Sequence, residues 1–265
     1  MGAALNVGTR RGPRRRPRRA SPRLDAAELR EFGRRLRAWY RRNARDLPWR
    51  RTRDPYHILV SELMLQQTQV SRVLEFWRRF LERFPTLHDL AAARESQVLE
   101  AWAGLGYYAR ARNLHKLSRA VVREGPRAWG DAPPEAADAG HRVRADAATA
   151  ALLPAEPESL RRLPGIGAYT AGAVATFAFE RRAALVDTNV ARVLTRVFAP
   201  RLHPKRPRDQ KHIWAIAEAT LPRTGTATWT HNQALMELGA LVCTARVKRC
   251  GGCPVRTVCR SREGR

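Results

Sequence analysis

Residues 163–172 read LPGIGAYTAG, and residues 186–190 shortly after them read VDTNV. Pro164 cannot continue a helix, and Gly165 and Gly167 tolerate left-handed backbone, so one helix is expected to end here and a second to begin near Ala168. At such a turn the backbone N–H groups of Gly165, Gly167 and the residues after them have no intrahelical partner. Together with the helix dipole they favour an anion. A plain corner between two helices has the same spelling, so the choice between the two rests on the rest of the chain.

Charge supplies the first argument. The 265 residues hold 50 Lys and Arg against 24 Asp and Glu, a formal charge of +26. Eight arginines and no acid fall in residues 1–23, so the remainder still carries +18 and is expected to meet a polyanion, with nucleic-acid phosphate the natural candidate. Only four of the basic residues are lysine, so part of the arginine excess reflects composition bias. Residues 1–23, arginines with prolines between them, cannot bury enough apolar surface to fold and read as a disordered basic arm. Such an arm is a solvated tail, a source of extra DNA affinity, or a targeting signal. No apolar run approaches the ~18–20 residues that span a membrane, and no secretory segment follows Met1. A monomer in the cytoplasm, associated with the nucleoid, is expected.

Helical spacing recurs along the chain, with no alternating strand pattern and no repeat, so the fold is expected to be all-α. Leu29, Phe32, Leu36, Trp39 and Tyr40 mark an amphipathic helix, followed by a loop at Leu47, Pro48, Trp49 and Arg50. Asp54 and Pro55 look like a cap and a first-turn proline opening a largely buried helix through Ile58, Leu59, Leu63 and Val70. On it Glu62, Gln66 and Gln69, with Gln67 beside them, fall on one face. That row either meets water or lines a pocket, and the scarcity of other polar positions favours the pocket. Val73 to Phe84 give the next helix, stopped by Pro85, and Thr86 opens another. The break at Gly104, Leu105, Gly106, Tyr107 and Tyr108 is either a simple turn or a loop offering an aromatic wedge to unstacked bases. Residues 126–157 are rich in Ala and Pro, nearly free of bulky apolar residues and without a period, and read as a long loop or partly disordered insertion. Helices are expected again from Leu160, then over residues 190–198, 213–220 and 232–242.

All four cysteines, Cys243, Cys250, Cys253 and Cys259, fall within one short stretch after the last helix. Four thiolates suit tetrahedral zinc or a [4Fe–4S] cluster. Zinc folds more often use two short-spaced pairs, and here only Cys250 and Cys253 form one, which tilts the reading toward iron–sulfur.

Taken in order, these motifs resemble the helix-hairpin-helix DNA glycosylases that carry a C-terminal [4Fe–4S] cluster, and among them the adenine DNA glycosylases of the MutY type. The resemblance runs from about Leu29 to Cys259. It rests on LPWR at 47–50, SELMLQQTQV at 61–70, GLGYYARARNL at 104–114, the hairpin, VDTNV at 186–190 and the cysteine spacing. It implies a helical barrel over residues 54–125, an insertion over 126–158, and a cluster-bearing subdomain from 24–53 and 159–265. It implies that Glu62 protonates a leaving adenine and that Asp187 stabilises the sugar cation. Trp49, Arg50, Tyr169, Asn189 and Glu237 would surround the extruded base. Gln67, Leu105 and Tyr107 would stand at the gap in the duplex, with Gly165 and Gly167 on a DNA phosphate. The partner implied is double-stranded DNA containing adenine mispaired with 8-oxoguanine or guanine.

The chemistry agrees with the residues. An enzyme cannot reach a glycosidic bond inside the stack, so it flips the nucleotide, and cleavage then needs a proton for the base and a negative group beside the sugar. Two other readings stand beside this one. Endonuclease III-like enzymes for oxidised pyrimidines resemble the chain but place a nucleophilic lysine where Tyr169 stands. A non-catalytic iron–sulfur DNA-binding protein would have no need of both Glu62 and Asp187, although Asp187 alone also reads as the N-cap of the helix at Val190. The chain stops six residues after Cys259, so the C-terminal domain with which the family reads 8-oxoguanine is expected to be absent, and the preference for that lesion to be reduced.

Overall fold

The computed structural model of the protein describes residues 24–125, 128–129 and 152–262. The basic arm and most of the expected insertion lie outside these residues. Among the described residues the regular structure is helical, with a single isolated β-bridge between Cys243 and Lys248 and no strand. None of the described helices is long and apolar enough to cross a membrane.

The helix α1 (Ala26–Asn43) starts where the Asp25 carboxylate accepts from the N–H groups of Ala27 and Glu28. It buries Phe32, Leu36 and Tyr40. After a 3-10 turn at Pro48–Arg50 comes α2 (Pro55–Leu65), the helix around which the site is built. Asp54 caps it, accepting from Tyr56 N at 2.8 Å and His57 N at 3.1 Å. Tyr56, Ile58, Leu59, Leu63 and Met64 are all but removed from solvent, each contributing about 1.5–3 kcal/mol by burial. A carboxylate on this helix is therefore held in an apolar setting.

There follow α3 (Val70–Arg83), α4 (Leu87–Ala92), α5 (Glu95–Ala101) and α6 (Ala109–Glu124). Then come α7 (Pro157–Leu160), α8 (Ala168–Phe177), α9 (Thr188–Phe198), α10 (Pro207–Thr220) and α11 (Gly225–Leu241). Two groups of helices result. In one, α2 packs on α3, α6 and α8, with α4 and α5 against α6; in the other, α1, α9, α10 and α11 pack together, and α8 meets α11 where the groups join. The hairpin helix α8 packs chiefly on α2. It therefore sits with the first group, and the chain passes into the second group after α8.

Several expectations are corrected. The helix carrying Glu62 does not continue to Val70: α2 stops at Leu65, Gln67 takes φ +57°, and Gln69 is the N-cap of α3. Glu62 is buried while Gln67 and Gln69 are exposed, so they share no face. The physical reason is that the carbonyl groups of Leu63, Met64 and Gln66 accept from the Arg110 guanidinium in place of further helical N–H groups. The hairpin's first helix is a single turn that ends at Leu160, and 3-10-type bonds to Ser159 and Leu160 carry the chain to Leu163. The last helix begins earlier than residue 232, because Thr224 caps it by accepting from Ala227 N. Leu152, Leu153 and Ala155 are buried, so the end of the expected loop is part of the core.

Candidate active site

Glu62 and Tyr169 meet where α2 and α8 cross. α8 also packs against the chain that leads to α9: a Cβ at Gly172 would lie 2.2 Å from the Ala184 carbonyl oxygen. Tyr169, in the first turn of α8, donates its hydroxyl to Glu62 Oε2 at 2.7 Å, and Met236 Sδ lies 3.5 Å from the Tyr169 hydroxyl oxygen. Glu62 is 4% exposed. Burial pushes its carboxyl up to about 7, the Asp187 charge adds to the rise, and the Tyr169 hydroxyl and the Arg50 charge oppose it. Near neutral pH this group holds a proton part of the time, as a general acid must.

Asp187 is the N-cap of α9, one oxygen accepting from Val190 N at 2.6 Å and the other from Asn189 Nδ2 at 2.9 Å. Burial raises its pKa, against the hydrogen bonds from Val190 and Asn189. The cap and the second carboxylate are thus one residue. Asn189 is itself held: its Oδ1 accepts from Arg192 Nη2 at 2.7 Å, and Arg192 also donates to the carbonyls of Gly239 and Cys243. Two carboxylates that feel each other's charge, one in an apolar setting and the other held by hydrogen-bond donors, can divide the roles of acid and anion.

Trp49 is buried with its ring edge-on to Trp77, centroids 6.0 Å apart. Arg50 donates to Glu237 Oε2 at 2.8 Å, Gln233 Oε1 at 2.9 Å and the Arg45 carbonyl at 2.9 Å. Arg45 grips the same carboxylate through its backbone N–H and its guanidinium. Burial pushes the Glu237 carboxyl up, but the hydrogen bonds from Arg45 and Arg50 prevail and hold it at about 2. Glu237 is a buried anion that fixes Arg50.

The hairpin turn is exposed at Gly165 and Gly167. Gly165 has φ +77°, and a Cβ there would stand 2.6 Å from Asn113 Cβ. Gly167 caps α8 without a side chain, so the first N–H groups of α8 face outward for an anion. Of the residues assigned to the duplex gap, Tyr107 is 59% exposed, Gln67 is exposed, and Leu105 is 6% exposed. The structure also brings in residues that sequence reasoning passed over: Arg45, Gln233, Met236, Arg192, Asn113 and Arg110. Arg110 alone had a readable signal, a charge on the apolar stripe of Leu114, Leu117 and Val121.

The four cysteines are free thiols and line one small cavity with Val193, Val197 and Leu238. Burial pushes the Cys253 thiol up to about 11 and Cys259 upward, and the neighbouring thiols add to both. Arg196 Nη1 lies 3.3 Å from Cys243 Sγ. Among the described residues no three His, Cys, Asp or Glu side chains are grouped to hold a single metal ion. Arg260 closes the segment, bonding to the Val197 and Phe198 carbonyls and to Glu28 on α1.

Comparison with known proteins places this geometry. The adenine DNA glycosylase of Rattus norvegicus is 39% identical over 248 residues, covering 90% of this chain and 43% of that protein. That of Mycolicibacterium smegmatis is 44% identical over 222 residues, covering 83% of this chain and 66% of that protein. The chain thus spans less than half the length of the mammalian relative. The solved structure of a thermostable thymine-DNA glycosylase superposes with a TM-score of 0.71 at 28% identity, covering 89% of this chain and 98% of that one. The HhH-GPD superfamily of base excision DNA repair proteins matches residues 60–218, from the middle of α2 to the end of α10, and to that superfamily this chain belongs.

Proposed function

We propose that this chain is a monofunctional adenine DNA glycosylase, acting as a monomer on DNA of the nucleoid and excising adenine mispaired with guanine or 8-oxoguanine. The observation that carries the reading is the buried Glu62 carboxyl, bonded to Tyr169 at 2.7 Å, raised to about 7 and within electrostatic reach of the Asp187 carboxylate. Glu62 gives its proton to the base at N7 as the C1′–N9 bond breaks, and the bonding electrons leave with adenine. Asp187 offsets the positive charge that develops on the sugar, and water adds to C1′ and loses a proton. Resemblance to the named relatives supports the choice of adenine.

A lyase step would need an amine. Tyr169 occupies the position where the endonuclease III-like enzymes carry lysine, and all four lysines of the chain, Lys116, Lys205, Lys211 and Lys248, are exposed. Borohydride should therefore trap no covalent DNA adduct. The open N–H groups at Gly165 and Gly167 suit a phosphate, and the charge of the chain implies affinity that falls steeply with salt.

Four cysteines around one cavity, with no carboxylate or imidazole among them, fit a [4Fe–4S] cluster. Cys243, Cys250, Cys253 and Cys259 would hold it and so fix the loop that Arg192 and Arg196 grip. Anaerobically purified protein should contain iron; stoichiometric zinc would reject the cluster.

The deciding experiment is single-turnover excision from A:8-oxoguanine, A:G, A:T and oxidised-pyrimidine duplexes. Release of adenine from the first two and little action on the others is expected. Release of the pyrimidine lesion instead would transfer the chain to the rival activity.

A further inference from the structure

Arg110, near the start of α6, is 7% exposed. Its guanidinium reaches two loops far apart in sequence. Nη1 donates to the carbonyls of Leu63, Met64 and Gln66 at 2.7, 2.9 and 2.6 Å. Nη2 donates to the carbonyls of Leu105 and Gly106 at 3.2 and 3.0 Å and to Thr68 Oγ1 at 3.3 Å. The first set are carbonyls that α2 leaves open at its C-terminal end, where the helix dipole also favours a cation. Arg72 adds a second tie, donating to the Gly104 carbonyl at 2.8 Å.

Both loops carry a non-glycine residue in left-handed backbone, Gln67 at φ +57° and Tyr107 at φ +49°. Such backbone is strained for a residue other than glycine and persists only where its surroundings over-determine it. Arg110 supplies that determination. Gln67, Thr68, Arg72, Phe76 and Leu105 line an open groove between the loops, and Tyr107 stands exposed at one side. Two of the carbonyls that Arg110 holds, those of Leu63 and Met64, directly follow Glu62 on α2.

We propose that Arg110 is a positioning residue that locks the 66–69 and 104–107 loops into one wedge, which enters the duplex as a unit when a base leaves the stack. The proposal rests on the glycosylase reading above. Arg110 bonds to neither carboxylate of the site, so its effect falls on extrusion of the base and not on bond cleavage. Lysine keeps the charge but offers a compact ammonium in place of the planar fork, so it cannot serve both loops.

The test compares wild type with Arg110→Lys and Arg110→Met on two duplexes, one with adenine opposite guanine and one with adenine facing an abasic site, where less pairing must be broken. Single-turnover rates on the paired adenine are expected to fall about 10–100-fold, and on the unpaired adenine by less than about threefold. Amide hydrogen exchange over residues 66–69 and 104–107 of the free protein should quicken in both variants while the core of α2 stays protected. If Arg110→Met does not fold, Arg110→Lys carries the comparison. Equal losses on both duplexes, unchanged rates, or unchanged exchange in the loops would overturn the proposal. Absence of adenine release by wild type would reject the glycosylase reading instead, and the exchange measurement would still decide whether Arg110 fastens the loops.

Discussion

Tyr169 donates its hydroxyl to the Glu62 carboxylate across the α2–α8 crossing at 2.7 Å. This bond favours the charged form of Glu62, against the burial that raises its pKa. Tyr169→Phe removes the bond and leaves the burial. The pKa of Glu62 should rise, and the alkaline limb of the single-turnover pH profile should move up by about one unit. A downward shift would mean that Tyr169 does not act through Glu62.

Glu62→Gln keeps the shape of the side chain without its proton. Excision should fall roughly 10²–10⁴-fold while binding to mispaired DNA persists, as read by gel shift beside single-turnover rates.

The same substitution has a signature in stability. Folded Glu62 titrates at about 7 against 4.5 for an ordinary glutamate, so between those values the folded protein binds the proton more tightly than the unfolded chain. The stabilisation is complete below 4.5 and lost as pH rises through 7. Urea melts should find Glu62→Gln more stable than wild type at pH ~8, by about 1–3 kcal/mol, with the gap closing toward pH ~4.5. Equal melts at the higher pH would contradict the burial argument.

Glu237 behaves in the opposite sense. Its folded carboxyl is held at about 2 by Arg45 and Arg50, so its contribution is present above 4.5 and fades as pH falls toward 2. Glu237→Gln leaves Arg50 buried without its charge partner and should cost about 3–5 kcal/mol near neutral pH, and less in acid. A melting temperature equal to that of wild type would show that Arg50 finds another partner.

Gly172→Ala places a methyl 2.2 Å from the Ala184 carbonyl oxygen. The expected loss is about 1–3 kcal/mol, because backbone must shift to admit it. Differential scanning calorimetry would read it, and a stable variant would show that α8 has room to move.

Much of this was legible in the sequence because it is local. Asp54-Pro55 and Thr86-x-x-Asp89 announce helix starts, and the hairpin glycines announce a turn. Glu62, Asp187 and Tyr169 were found through motif resemblance, and the structure brings Tyr169 to Glu62 as a hydrogen-bond partner. The break after Leu65 was not legible, since its cause is Arg110, which lies far along the chain. The same holds for Arg45 and Glu237, which are 192 residues apart. Neither side chain reveals its partner, because the pairing exists only once α11 has packed on α1. The true start of α11 was missed because Thr224 caps a first turn that has little apolar pattern.

Sealing Glu62 between α2 and α8 also governs how the molecule recovers after each event. Once its proton has left with the base, the residue remains as a carboxylate in apolar surroundings near Asp187, and burial and the Asp187 charge disfavour that state more than Tyr169 and Arg50 favour it. Below a pH of about 7 recharging from solvent is therefore downhill, and it needs no partner enzyme or cofactor. Below that pH the resting form is the loaded one, and the pause between two excisions includes the time a proton takes to reach a buried oxygen.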